Sequence, residues 1–280
     1  MRFRGQRQSR NIEDRRGRSG GAAVGGLSGV ALLAVLAVGY FTGIDVTPLL
    51  QGLAGGQPAG ETRELSAEEK AAGVWVAVVL GTTETVWAAR FEAELGEDYR
   101  PPVLVLFSDV AQSPCGGASG ATGPFYCQAD RKAYLDTAFF ATLARDLGAP
   151  GELAAAYVIA HEVGHHVQNE LGILGKANEV RSRLLQAQAN EVSVRIELQA
   201  DCLAGVWAGA VKSLLQPGDI EQALNAARRI GDDALQRRAG RVPQPHTFSH
   251  GTSAQRARWF AKGYEAGAMA ACDTFAARTL

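Results

Sequence analysis

The run Ala154-Ala155-Ala156-Tyr157-Val158-Ile159-Ala160 passes without a break into His161-Glu162-Val163-Gly164-His165, which sets two imidazoles four residues apart inside an apolar stretch. That context calls for a helix packed within a domain. Residues four apart on an α-helix share a face and lie about 6 Å apart along its axis, so both rings reach one metal ion with Glu162 beside them. Zinc held by two imidazoles and one further protein ligand keeps a fourth position open for a water whose pKa falls to about 7. Glu162 is then placed to take the proton of that water as it attacks a carbonyl.

The third ligand is expected on a neighbouring element. Arg195-Ile196-Glu197-Leu198-Gln199-Ala200-Asp201-Cys202 supplies Glu197 and Asp201 four apart on a second helix. Glu197 is read as the ligand, and Asp201 as the acceptor for the free N–H of a ligating imidazole, which sets its tautomer and orientation. E-x-x-x-D after H-E-x-x-H is the gluzincin arrangement; the other reading of the pair is a solvated acidic helix face. Ligation by two imidazoles and a carboxylate, without thiolate, suits one zinc ion per chain.

From Ala156 to Gln168, and again from Glu197 to Trp207, the chain resembles the bacterial neutral zinc metallopeptidase family. Gly123-Pro124-Phe125-Tyr126-Cys127, Ala133-Tyr134-Leu135-Asp136 and His250-Gly251-Thr252-Ser253-Ala254-Gln255-Arg256 extend the likeness over nearly the whole chain. The resemblance implies a zinc-dependent, membrane-tethered peptidase-like domain, with His161, His165 and Glu197 as ligands and Glu162 as base. It implies no particular substrate.

The 280 residues, with ordinary apolar and charged fractions, are enough for one catalytic domain with a sizeable core. The net charge of −1 hides an asymmetry, because residues 1–44 hold seven Arg against Glu13 and Asp14 and leave −6 for the remainder. A folded body of that sign argues against a nucleic-acid partner. Between Ser19 and Ile44 there is no charge, and Leu27 to Phe41 is apolar. We read residues 1–21 as a cytoplasmic Arg-rich tail, 22–44 as one transmembrane helix of a length suited to a hydrocarbon core of roughly 30 Å, and 45–65 as a Gly-rich linker. The rival is a signal peptide cleaved near Ala37-Val38-Gly39. The catalytic domain, 66–280, is then expected in the periplasm or outside the cell.

Four cysteines allow three pairings. Cys115–Cys127 would close a Gly-rich loop and Cys202–Cys272 would tie the C-terminal tail to the ligand helix, both in keeping with an oxidising compartment. A zinc site built from all four is the alternative, but none has C-x-x-C spacing.

Ser66-Ala67-Glu68-Glu69 signals a helix start, with a second helix expected from Thr83 to about Leu95. Val103–Phe107 reads as a strand, and Tyr126 through Leu135 as another. Lys132–Asp136 is the candidate edge along which an extended substrate would lie, which makes Tyr134 a candidate contact. Helices are expected over Thr137–Leu147, Glu152–Leu171, about 177–215 in one piece, and Asp219–Ile230.

Two further histidines stand in the loop after Pro243. An oxyanion at the metal needs a second donor, and His250 is the candidate, with His246 as the other choice. The six-residue step from His250 to Arg256 resembles a histidine and arginine downstream of the ligand glutamate in some membrane-embedded gluzincins; Arg256 and Tyr264 are added as candidate substrate contacts. His166 points about 100° away from His165 and is read as structural. Trp207, Trp259 and Phe260 fall at core spacings. The whole reads as an α+β, mainly helical, zincin-like domain with a small sheet behind one N-terminal transmembrane helix. Its expected activity is hydrolysis of a peptide or protein substrate. The alternatives are a zinc-stabilised, membrane-tethered binding or assembly module without catalysis, and a hydrolase of another envelope amide.

Overall fold

The computed structural model describes residues 3, 5–17, 63–119 and 123–280. The expected membrane span at 22–44 and nearly all of the linker lie outside these. The chain forms two units, one of residues 1–14 with 66–280 and the other of residues 15–65.

Helix α1 spans Ala67–Leu95. Ser66 and Glu69 form the expected capping box, and Gly96 ends the helix in the left-handed region at φ 68°. The two helices expected here are therefore one. Thr82 and Thr83 stay helical by turning their hydroxyls back to the carbonyls of Val79 and Leu80, at 2.6 and 2.7 Å. By length and composition α1 could cross a membrane, but most of its apolar window is buried, with Val76, Val79, Leu80, Trp87 and Phe91 in the domain core.

The main sheet has the order β1-β2-β6-β5. Strand β1 is Ile12–Asp14, β2 Val103–Phe107, β5 Phe125–Cys127 and β6 Lys132–Asp136. Strands β1, β2 and β6 run parallel and β5 is antiparallel to β6. A separate hairpin, β3 Val110–Ser113 with β4 Gly116–Ser119, stands beside it in the sequence.

Three expectations change here. The residues expected as one strand from Tyr126 to Leu135 form two, reversed through a turn in which Arg131 takes φ 60°. Lys132–Asp136 is no edge: it pairs on both sides, and an all-buried run from Ala133 to Asp136 is what a central strand requires. The edge next to it is β5. Finally, the basic tail is not separate from the domain, because Ile12–Asp14 is hydrogen-bonded to Leu104–Leu106 and Phe3 is buried in the main core. Glu84 of α1 holds this arm by accepting from Arg7 Nη2, Ser9 Oγ and Asn11 Nδ2, at 2.5, 2.5 and 2.7 Å. Gly81 lets the arm pass: a Cβ there would sit 2.3 Å from the Arg7 carbonyl oxygen.

Helices α2 Phe139–Arg145, α3 Glu152–Glu170, α4 Ile173–Arg181, α5 Gln186–Ala210, α6 Asp219–Arg229, α7 Asp232–Arg238 and α8 Ser253–Ala266 follow. The single helix expected from 177 to 215 is broken at residues 182–185, where no Gly or Pro marks the stop and Leu185 is extended. Helix α5 packs between α3 and α8, so the helices that carry His161, Glu197 and Arg256 form one layer. Both expected disulfides are present, Cys115–Cys127 and Cys202–Cys272.

Candidate metal centre

Helix α3 carries His161, Glu162 and His165, and α5 carries Glu197 and Asp201. The second variable letter of the motif, Gly164, decides how near the two helices come. A Cβ on Gly164 would lie 2.9 Å from the Ala200 carbonyl oxygen, so only glycine lets α5 approach closely enough to present Glu197.

His161, His165 and Glu197 each offer a donor atom, all within 4.8 Å of one another. His161 Nε2 is 3.1 Å from Glu197 Oε2, and His165 Nε2 is 3.5 Å from Oε1. The imidazole rings stand nearly perpendicular, at 84°. His161 donates from Nδ1 to Asp201 Oδ1 at 2.9 Å, as expected of Asp201. That carboxylate is fully buried and holds a second network: Arg256 donates from Nε at 2.8 Å and from Nη2 at 3.0 Å, and the Tyr157 hydroxyl donates at 2.5 Å.

The charges follow from this packing. Burial alone would lower the pKa of His161, but the Asp201 charge and the hydrogen bonds to Asp201 and Glu197 outweigh it and push the value up to about 10. Burial would raise Glu197, yet His165 and the bonds to both imidazoles hold it well below the carboxylate range. Glu162 goes the other way. Its burial dominates over the opposing imidazoles and raises its pKa, and its buried Oε2 has no hydrogen-bond partner among the described residues. Two imidazole Nε2 atoms and an ionised carboxylate converge, with both Nδ1 atoms engaged elsewhere; this donor set fits zinc.

The centre opens into a cavity of about 1050 Å³, lined also by Phe125 and Tyr126 of β5, Phe139, Leu174 and His250. His250 stands at the rim, half exposed, with Nδ1 3.2 Å from Asp232 Oδ1; that hydrogen bond raises its pKa.

Arg256 reaches the centre from behind, with Nη2 3.5 Å from His161 Nδ1, while Tyr134, Tyr264 and His246 are not brought to it. Arg256 is 2% exposed and forked on Asp201, so it is committed to a buried carboxylate rather than free for substrate. Tyr134, on central strand β6, is buried, stacks on Phe125 and donates to Asp130. Tyr264 packs against the core, where its backbone abuts Gly205 and Gly209. His246 is exposed, and its backbone carbonyl accepts from Asn190 Nδ2. His166 is structural as expected: it donates from Nε2 to the Arg100 carbonyl at 2.6 Å and accepts from the Tyr126 hydroxyl at 3.0 Å. Tyr157 and Gln168 were missed, although Tyr157 lies one turn before His161 on the same helix face and Gln168 three residues after His165.

An H-E-x-x-H helix with a glutamate from a second helix and a cavity over both is the kind of centre that zinc-dependent hydrolases build. The chain belongs to the family described as “Putative neutral zinc metallopeptidase”, whose profile matches residues 1–275. It is 45% identical to the uncharacterized protein YpfJ of Escherichia coli K12 over 289 aligned residues, which cover 98% of this chain and 99% of that one. It is 44% identical to the uncharacterized protein Rv2575 of Mycobacterium tuberculosis H37Rv over 195 residues, 65% of each chain. No solved structure matches it.

Proposed function

We propose that the chain is a zinc metallopeptidase of zincin-like, gluzincin type that hydrolyses peptide bonds. The observation that carries this is the pairing of three convergent donors with a buried, unpartnered Glu162 oxygen in one cavity. His161, His165 and Glu197 would hold the zinc ion, which when bound would supply a Lewis acid for the scissile carbonyl and for water. Glu162 accepts the proton of the attacking water, helped by a pKa raised through burial, and passes it to the leaving amine. Asp201, held by Arg256 and Tyr157, keeps His161 in the tautomer that frees Nε2. His250, kept protonated more readily by Asp232, donates to the developing oxyanion. The substrate backbone lies along β5, the cavity-lining end strand, with apolar side chains against Phe125 and Phe139. A purely structural zinc site needs a fourth protein ligand; Asp201 is already engaged by three other side chains.

The two disulfides support an oxidising compartment, periplasmic or extracellular. The arm that pairs with β2 argues against a single crossing that leaves the N-terminus in the cytoplasm. We place arm and domain on the same, oxidising side, and read the apolar stretch 27–41 of the sequence as the membrane contact.

The test is metal content and hydrolysis of a broad peptide library by the full chain and its Glu162→Gln variant. About one zinc per chain in both, with cleavage reduced at least about 100-fold in the variant, supports the proposal. Equal cleavage by both, or zinc bound with cleavage by neither, overturns it.

A further inference from the structure

Gln168 is fully buried on α3, one turn beyond His165. Its Oε1 lies 2.9 Å from His165 Nδ1, while its Nε2 donates to the Ile196 carbonyl at 2.7 Å and to Gln199 Oε1 at 3.0 Å. Gln199 in turn donates from Nε2 to the Cys272 carbonyl at 3.0 Å. The polarity of this chain of bonds is not free. A backbone carbonyl can only accept, so the carbonyls of Cys272 and Ile196 force both amides to turn their nitrogens outward along the relay. Gln168 is left with only an oxygen facing His165, and an amide oxygen can bond Nδ1 only if Nδ1 carries the proton.

We propose that Gln168 is a positioning residue for the metal centre: through Gln199 and two backbone carbonyls it holds the His165 proton on Nδ1 and so turns Nε2, 3.5 Å from Glu197 Oε1, toward the metal position. This rests on the reading of His161, His165 and Glu197 as metal ligands. The two histidines are thus set by different means. His161 leans on an ionised carboxylate and His165 on a neutral amide, so the second ligand is oriented without placing another negative charge beside the metal, where it would weaken the pull on a carbonyl. The relay ends on the residue that is disulfide-bonded to Cys202 of α5, which ties the Cys272 carbonyl to the helix that carries Glu197.

The test uses the full chain with Gln168→Met, which keeps the length and removes the acceptor, and Gln168→Glu, which keeps the acceptor but puts an oxygen against the Ile196 carbonyl. Zinc dissociation constants are measured by competition with a chromophoric chelator, and folding by thermal denaturation in chelator. A positioning role predicts zinc binding about 10- to 100-fold weaker in the Met variant and within a few-fold of native in the Glu variant, even though the Glu variant is the less stable fold. If affinity follows stability instead, with Met binding as tightly as native and Glu weakly, the proposal is overturned. Should the Met variant not fold, Gln199→Met, one step further out, is expected to weaken zinc several-fold; unchanged affinity there counts equally against the relay. Imidazole ¹H–¹⁵N spectra of the metal-free native chain provide a readout that needs no zinc. A protected His165 Nδ1–H supports the tautomer even if the native chain proves not to bind zinc, which would sink the metal reading alone, and a proton on Nε2 only overturns it.

Discussion

Arg256 shows how one side chain can be right in importance and wrong in role. Its spacing from His250 suggested a substrate contact, but it lies buried on a carboxylate that also holds His161 and Tyr157. Asp201 keeps a pKa below the usual range against the cost of burial because Arg256 and His161 face it. Removing the guanidinium leaves a buried charge short of its main partner. Arg256→Leu is therefore expected to cost about 3–5 kcal/mol in urea denaturation of the metal-free chain. Adding Asp201→Asn should recover part of that loss, since the uncompensated charge is then gone; no recovery would mean that the ion pair is not what Arg256 contributes. The residue identities needed for this network were legible, as was the face shared by Tyr157 and His161. The direction in which Arg256 turns was not, because it depends on α8 packing across α5.

Between elements, close backbone contact sets the geometry. A Cβ on Gly263 of α8 would lie 1.9 Å from the Cys202 carbonyl oxygen of α5, so the crossing that brings Arg256 to Asp201 has no room for a methyl group. Gly263→Ala is expected to destabilise by about 3 kcal/mol or more, read as a lower denaturation midpoint or loss of soluble protein. The α7–α8 junction depends on charge instead. Asp233 accepts from the backbone and hydroxyl of Ser253, each at 2.7 Å, and pairs with Arg237. Burial opposes ionisation, but these partners outweigh it and lower the pKa. A carboxyl whose folded pKa is depressed contributes stability above its unfolded value and loses it as pH falls through the folded one. Asp233→Asn should thus lower the thermal midpoint by a few degrees at pH 7, with the gap to native closing below about pH 4. A gap independent of pH would show that the charge plays no part.

For the molecule as a whole, the arm is decisive. Residues expected to be separated from the domain by a membrane are strand-paired to it, and the Glu84 side chain gathers three arm side chains at once. Single cysteines placed at exposed Gln8 and Glu97 should accordingly react together, or be protected together, toward a membrane-impermeant thiol reagent in intact and permeabilised cells. Labelling of one without the other would mean that the arm does not dock in the cell. The arm could not be read as a strand from its residues, because seven arginines in the first 18 positions look like a flanking charge cluster and three residues carry no periodicity.

Local features came through from the chain alone wherever their cause is local. A capping box, a helix with two histidines on one face, a glutamate and an aspartate one turn apart, and cysteines that can meet across a short loop all follow from spacing and side-chain chemistry. Tertiary packing decided the rest. It made Lys132–Asp136 central and β5 the edge, broke the long helix at residues 182–185, turned Arg256 inward and drew the N-terminal arm into the sheet. Each of these depends on which surfaces meet, and residues far apart in sequence settle that by shape and by the need to pair every buried charge.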